Sequence, residues 1–153
     1  MDIRSKLPYP EGNITNFYPY FFIFDGVECA SMEGLLQSFL EKDEDIQKKV
    51  CKMVGFEAKL WAQLRAKSWK DEGKLYWKGK EYDRFGPEYQ ELLDRAYEAL
   101  AQNEDFMNAL LITGNEILTH SIGKKDPQET ILTEFEFCSR LMRTRAKARG
   151  RNY

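Results

Sequence analysis

Apolar and β-branched residues flank a single Asp-Gly pair in FFIFDGVEC, residues 21–29. This predicts a β-hairpin built from Phe21, Phe22, Ile23 and Phe24 on one side, with Asp25-Gly26 supplying the positive φ angles of a two-residue turn. The period then lengthens to that of a helix. Met32, Leu35, Leu36, Phe39 and Leu40 form one apolar stripe behind Ser31, a good N-cap. At ~100° per residue Glu33 and Gln37 share the edge of that stripe, where they can look into a cleft beside the core.

Further helices follow from the same pattern. DEDIQKKVCKMVG places Ile46, Val50, Met53 and Val54 on one face and stops at Gly55, read as a C′ residue. A third helix runs from about 56 to 66 with Phe56, Leu60, Trp61 and Leu64 inward. SWKDEGKLYWKGKEYDRFG lacks a steady period and reads as a long loop with a short hairpin around Gly79. GPEYQELLDRAYEALAQN is a helix with Pro87 at its first position and Tyr89, Leu92, Leu93, Ala96, Tyr97 and Leu100 inward. NEDFMNALLITGN adds another, capped by Asn103 and ended at Gly114. EILTHSIGKKDPQE reads as a short extended piece and a polar loop. Thr133 and Glu136 then form a capping box that opens a last helix with Phe137, Leu141 and Met142 inward. The sum is one domain over 1–153, α+β and predominantly helical, with a small N-terminal sheet.

Composition agrees with a folded domain: 42% of the 153 residues are apolar, 14% aromatic and 31% charged. Only the two ends read as loose. No apolar run approaches the ~18 residues of a membrane span, and MDIRSKLPYPEG has no secretory h-region, so a soluble cytoplasmic protein is expected. Cys29, Cys51 and Cys138 form no C-x-x-C pair and read as reduced, buried thiols. The net charge of −2 favours no partner, but six cations and no acid lie between Arg140 and Arg151. That run, continued in a basic tail over 147–153, is expected to be a solvated helix end, with phosphate contact as the alternative.

Known chemical motifs are few. There is no H-E-x-x-H, Cys cluster, glycine-rich phosphate loop or Ser-His-Asp order, so neither a metal nor a cofactor is expected. His120, the sole histidine, is structural or touches substrate. SIGKK, residues 121–125, offers the phosphate contact that any Gly-Lys-Lys surface turn offers.

The residues of ITNFYPYFFIFDGVECASMEGLLQSF go further. Asn16, Phe17, Tyr18, Pro19, Asp25, Gly26, Ser31, Glu33 and Gln37 fall at the spacing of S-N-F-Y-P, strand, D-G, strand, S-V-E-H-x-Y-Q. This resembles the opening signature of the YbiA/NADAR family. AKSW, LAQNEDFMNALLITGN and SRLMRTR resemble its later elements, so the likeness spans about 15–146. It departs at Gly34 and Leu36, where the family has His and an aromatic, and at Leu40, where Lys is usual. The family's D-x-x-W-G-x-G loop has no clean counterpart: KKDPQETILTE offers Asp126, Glu129 and Glu134 without a Trp.

The resemblance implies a YbiA-like fold and an N-glycosidase acting on a ribose C1′–N bond. Substrates would be related to ADP-ribose or NAD, ADP-ribosylated guanine in nucleic acid, or a ribosylaminopyrimidine phosphate of the riboflavin pathway. Cleavage through an oxocarbenium-like centre needs negative charge near C1′ and a base for water. Glu33 fits that role, and its place in a first helical turn favours the ionised form, although acids are common there for capping alone. Asp126 or Glu129 would assist the leaving base, Trp69 would stack base or sugar unless it is core, and Asn16, Tyr18, Gln37, His120 and Glu134 would contact substrate. The competing readings are a non-catalytic module that binds an ADP-ribose-like or nucleic-acid ligand, and an interaction domain whose pocket is dead.

Overall fold

The computed structural model describes residues 1–64 and 67–150. After a 3-10 turn over Glu11–Ile14, strands β1 (Phe22–Phe24) and β2 (Val27–Cys29) form the expected hairpin. Asp25 and Gly26 both take positive φ, 48° and 78°. Side chains alternate, with Phe22, Phe24, Val27 and Cys29 buried and Phe21 and Ile23 facing out. The turn is anchored rather than free. Trp77 donates its indole N–H to Asp25 Oδ2 at 2.8 Å, and Arg95 pairs with the same carboxylate at 2.8 Å.

Helix α1 (Met32–Ser38) begins where expected: Ser31 Oγ accepts the Gly34 N–H at 3.0 Å and donates to the Met53 carbonyl at 2.9 Å. Helix α2 (Glu44–Cys51) buries Gln47, Val50 and Cys51, whereas Val54, expected inward, is exposed. Gly55 is the first residue of helix α3 (Gly55–Gln63), not the stop of α2. A Cβ there would lie 2.4 Å from Phe17 Cα, so the backbone approach that seats α3 requires glycine.

The inward face assigned to that third helix is therefore corrected. Gly55, Ala58 and Ala62 are buried, while Phe56, Leu60 and Leu64 are exposed and Trp61 is half-buried. The close contact selects the small-residue face, and bulk hydrophobicity loses to geometry. The expected end of this helix at 66 lies outside the described residues.

The segment read as a long loop holds α4 (Lys67–Glu72) and a second hairpin, β3 (Lys74–Trp77) with β4 (Lys80–Asp83), turning at Lys78-Gly79 as expected. Helices α5 (Pro87–Leu100), α6 (Glu104–Ile112) and α7 (Glu134–Ala148) complete the fold, with the predicted cap at Asn103 and the capping box at Thr133 and Glu136 both present. Seven helices and two two-stranded sheets among the described residues make a predominantly helical α+β domain around one core, which includes Phe39, Leu75, Tyr89, Leu93, Phe106, Phe137 and Leu141. All three cysteines are free and buried.

Neither end is loose over its described part. Asp2 bridges to Thr119, Ile3 is fully buried, and the Asp2 carboxylate accepts from Ser121 N, Ser121 Oγ and Thr119 Oγ1. The cationic run is a solvated helix end only in part: Arg143 and Lys147 are exposed, and Arg151 lies outside the described residues. Arg140 and Arg145 are buried. Arg145 donates to Thr113 Oγ1 and the Glu116 carbonyl, and Arg149 to the carbonyls of Leu111 and Gly114. Arg145 of α7 and its C-cap Arg149 thus pair with the C-terminal end of α6 and the turn that follows it, where cations are favoured. No helix of the described residues is long and apolar enough to cross a membrane.

Candidate functional site

A cavity of about 330 Å³ opens beside α1. One wall comes from Thr15, Asn16 and Phe17, from Glu33, Leu36 and Gln37 on α1, and from Lys59 on α3. These parts are tied together, since the Glu33 N–H donates to the Asn16 carbonyl at 2.9 Å and Phe17 packs against Gly55. The other wall comes from the segments 120–124 and 130–133 and from Phe137 of α7.

That second wall hangs on a buried polar network. Arg84 pairs with Glu136 through two hydrogen bonds of 2.7 and 3.1 Å and donates its Nε–H to the Thr130 carbonyl at 3.0 Å. Tyr89 donates to the Ile131 carbonyl at 2.6 Å, and Gln90 and the Thr133 N–H complete the Glu136 carboxylate. Burial alone would raise the Glu136 pKa, but these donors win and hold it below the ordinary range.

Glu33 keeps some solvent access through the cavity, yet protein surrounds it closely. Gln37 donates to its Oε1 at 2.8 Å. The expectation that its position in the first turn would favour the ionised form is reversed. Burial pushes the carboxyl above the usual glutamate range, and the Gln37 hydrogen bond and the Lys59 charge offset only part of that. A carboxylate with a raised pKa is a better base toward water.

Asn16 presents to the cavity a side chain fixed by the Tyr97 hydroxyl, which donates to its Oδ1 at 2.8 Å. His120 is held by its Nδ1, which donates to the Ile3 carbonyl at 2.7 Å, and by an edge-to-face contact with Phe137 at 5.5 Å. Glu33, Gln37, Asn16 and His120 are thus brought together.

The other sequence-derived residues lie elsewhere. Tyr18 is exposed and does not line the cavity, its ring tilted against that of Tyr20. Trp69 is buried in the core and, with Glu129 and Lys70, borders a different depression. Asp126 is exposed and accepts from the Gln128 N–H, and Glu129 is paired with Lys70 at 3.6 Å. Glu134 stands behind the wall, accepting the His120 N–H at 2.7 Å and pairing with Lys125. None of the three carboxylates lines the cavity with Glu33.

Lys59 is not legible in the sequence, because the apolar pattern turns α3 the wrong way. Neither is Arg84, because a buried arginine has no local signature, nor are Thr130 to Leu132, whose positions depend on contacts with distant residues. Among the described residues no group of three or more His, Cys, Asp or Glu side chains could hold a metal ion.

The hairpin, the helical bundle and the cavity at the start of α1 define a YbiA-like α+β domain. The NMR structure of the E. coli protein YbiA superimposes with a TM-score of 0.63 over 97% of this chain and 84% of that one, at 14% identity. Within that fold, residues 8–146 match the family of bacteriophage protein GP30.3, and the chain belongs to that family. An uncharacterized 17.1 kDa protein of the Gp30-rIII intergenic region of enterobacteria phage T4 is 35% identical over 141 residues, covering 90% of this chain and 91% of the relative. The fold expected from the N-F-Y-P and S-x-E motifs is therefore the fold found.

Proposed function

We propose that the protein is an N-glycosidase that hydrolyses the bond between ribose C1′ and a base nitrogen in a nucleotide-like substrate. Its substrate would be related to ADP-ribose or NAD, an ADP-ribosylated guanine, or a ribosylaminopyrimidine phosphate. The observation that carries this reading is Glu33: a desolvated carboxylate, aimed by Gln37, in a cavity large enough for a ribosyl group. In such a site the charge stabilises an oxocarbenium-like C1′ and the carboxylate takes a proton from the attacking water. Asn16 and Gln37 hold hydroxyl groups of the sugar, and Lys59 and Lys124 at the cavity offset phosphate charge.

Incubation with NAD, an ADP-ribosylated guanine nucleotide and ribosylaminopyrimidine phosphates, followed by chromatography of released base, tests this. Turnover by the wild type that drops at least ~100-fold in Glu33→Gln supports it. Release of no base, or equal release by the variant, overturns it. Binding of these ligands without turnover would instead identify a recognition module.

A further inference from the structure

Breaking a C1′–N bond whose nitrogen bears no positive charge requires a proton for the departing nitrogen, and neither Asp126 nor Glu129 lines the cavity to give one. The cavity carries four ionisable side chains: Glu33, Lys59, His120 and Lys124. Glu33 is assigned to water. Histidine is the residue type that gives and takes protons near neutrality, whereas a lysine ammonium holds its proton there.

The setting of His120 points the same way. Its Nδ1–H is committed to the Ile3 carbonyl at 2.7 Å, which fixes the ring. Phe137 meets it edge to face, and Gly123 packs on the ring edge so closely that a Cβ there would lie 2.6 Å from Cδ2. Among the described residues Nε2 has no hydrogen-bond partner.

We infer that His120 is the general acid of the site, donating from Nε2 to the leaving nitrogen. The inference rests on the N-glycosidase reading above. As the C1′–N bond breaks, its electron pair goes to nitrogen, which takes the Nε2 proton. The water oxygen bonds to C1′ and its proton goes to Glu33. The products are a C1′ hydroxyl and a free base with a new N–H. Solvent then reprotonates His120 and deprotonates Glu33.

The test is leaving-group dependence. Nicotinamide leaves NAD as a neutral molecule without protonation, whereas an amine-linked ADP-ribosylated guanine nucleotide does not cleave readily until its nitrogen gains a proton. His120→Gln should lower kcat/KM by at least ~100-fold on the guanine substrate and by less than ~5-fold on NAD, and imidazole should restore part of the rate to His120→Ala. If the first variant is too unstable to assay, Gly123→Ala, which displaces the ring from outside, should give the same split. Equal losses on both substrates, no loss on either, or wild-type cleavage of NAD alone would overturn the assignment. A wild type that cleaves neither substrate sinks the N-glycosidase reading itself, so the two failures are distinct.

Discussion

Glu33 shows how one side chain can serve a site and tax the fold. A carboxyl with a higher pKa in the folded than in the unfolded chain binds its proton more tightly when native. Its contribution to stability is therefore fully present below about the ordinary value of 4.5 and is lost as pH rises through the raised value. Glu33→Gln, which keeps an acceptor for Gln37, should melt at a higher temperature than the wild type at pH 7–8. The gap should close as the pH falls into the ordinary glutamate range, a trend that calorimetry across that window will read. An equal gap at all pH values would mean that desolvation of the carboxylate is not the cause. The sequence revealed Glu33 through its cap-relative position and its motif. The direction of its pKa shift did not follow, because the helix-end field was visible locally and the surrounding protein was not.

The elements divide according to whether their determinants are local. The Asp-Gly hairpin, the Ser31 and Asn103 caps, the Thr133-Glu136 box and the stripe of α5 were all legible, since each depends on residues a few positions apart. Helix α3 was not. Its orientation is set by Phe17 lying against Gly55, a contact across 38 positions that hydropathy cannot express. Gly34 belongs to the same class. A Cβ at this position would lie 2.7 Å from the Met53 carbonyl oxygen and 2.8 Å from that of Val50, so α1 rests directly on the last turn of α2. Gly34 is thus the residue that lets these two helices meet. Gly34→Ala should cost about 1–3 kcal/mol in chemical denaturation despite alanine's better helix propensity, and a stabilised variant would show that the contact is loose.

At the scale of the whole molecule, Arg84 joins β4, α5, the 130–133 wall and α7. Its partner Glu136 was noticed only as a capping residue, because nothing near residue 84 in the sequence announces a buried cation. Arg84→Met should destabilise the protein by about 3–5 kcal/mol, since Glu136 would be left charged and buried. Arg84→Met with Glu136→Gln should recover part of that loss, and a denaturation cycle of the two substitutions measures the coupling. The same long connections set a schedule for biosynthesis. The cavity draws on residues from Ser5 to Phe137, and the backbone bridge at Asp2, beside Ile3, needs Thr119. A nascent chain therefore has to hold residues 1–3 unpaired until Thr119 has emerged. Ribosome-bound intermediates should lack a formed ligand pocket until α7 is available, which makes competence a single step tied to that helix rather than one acquired by degrees.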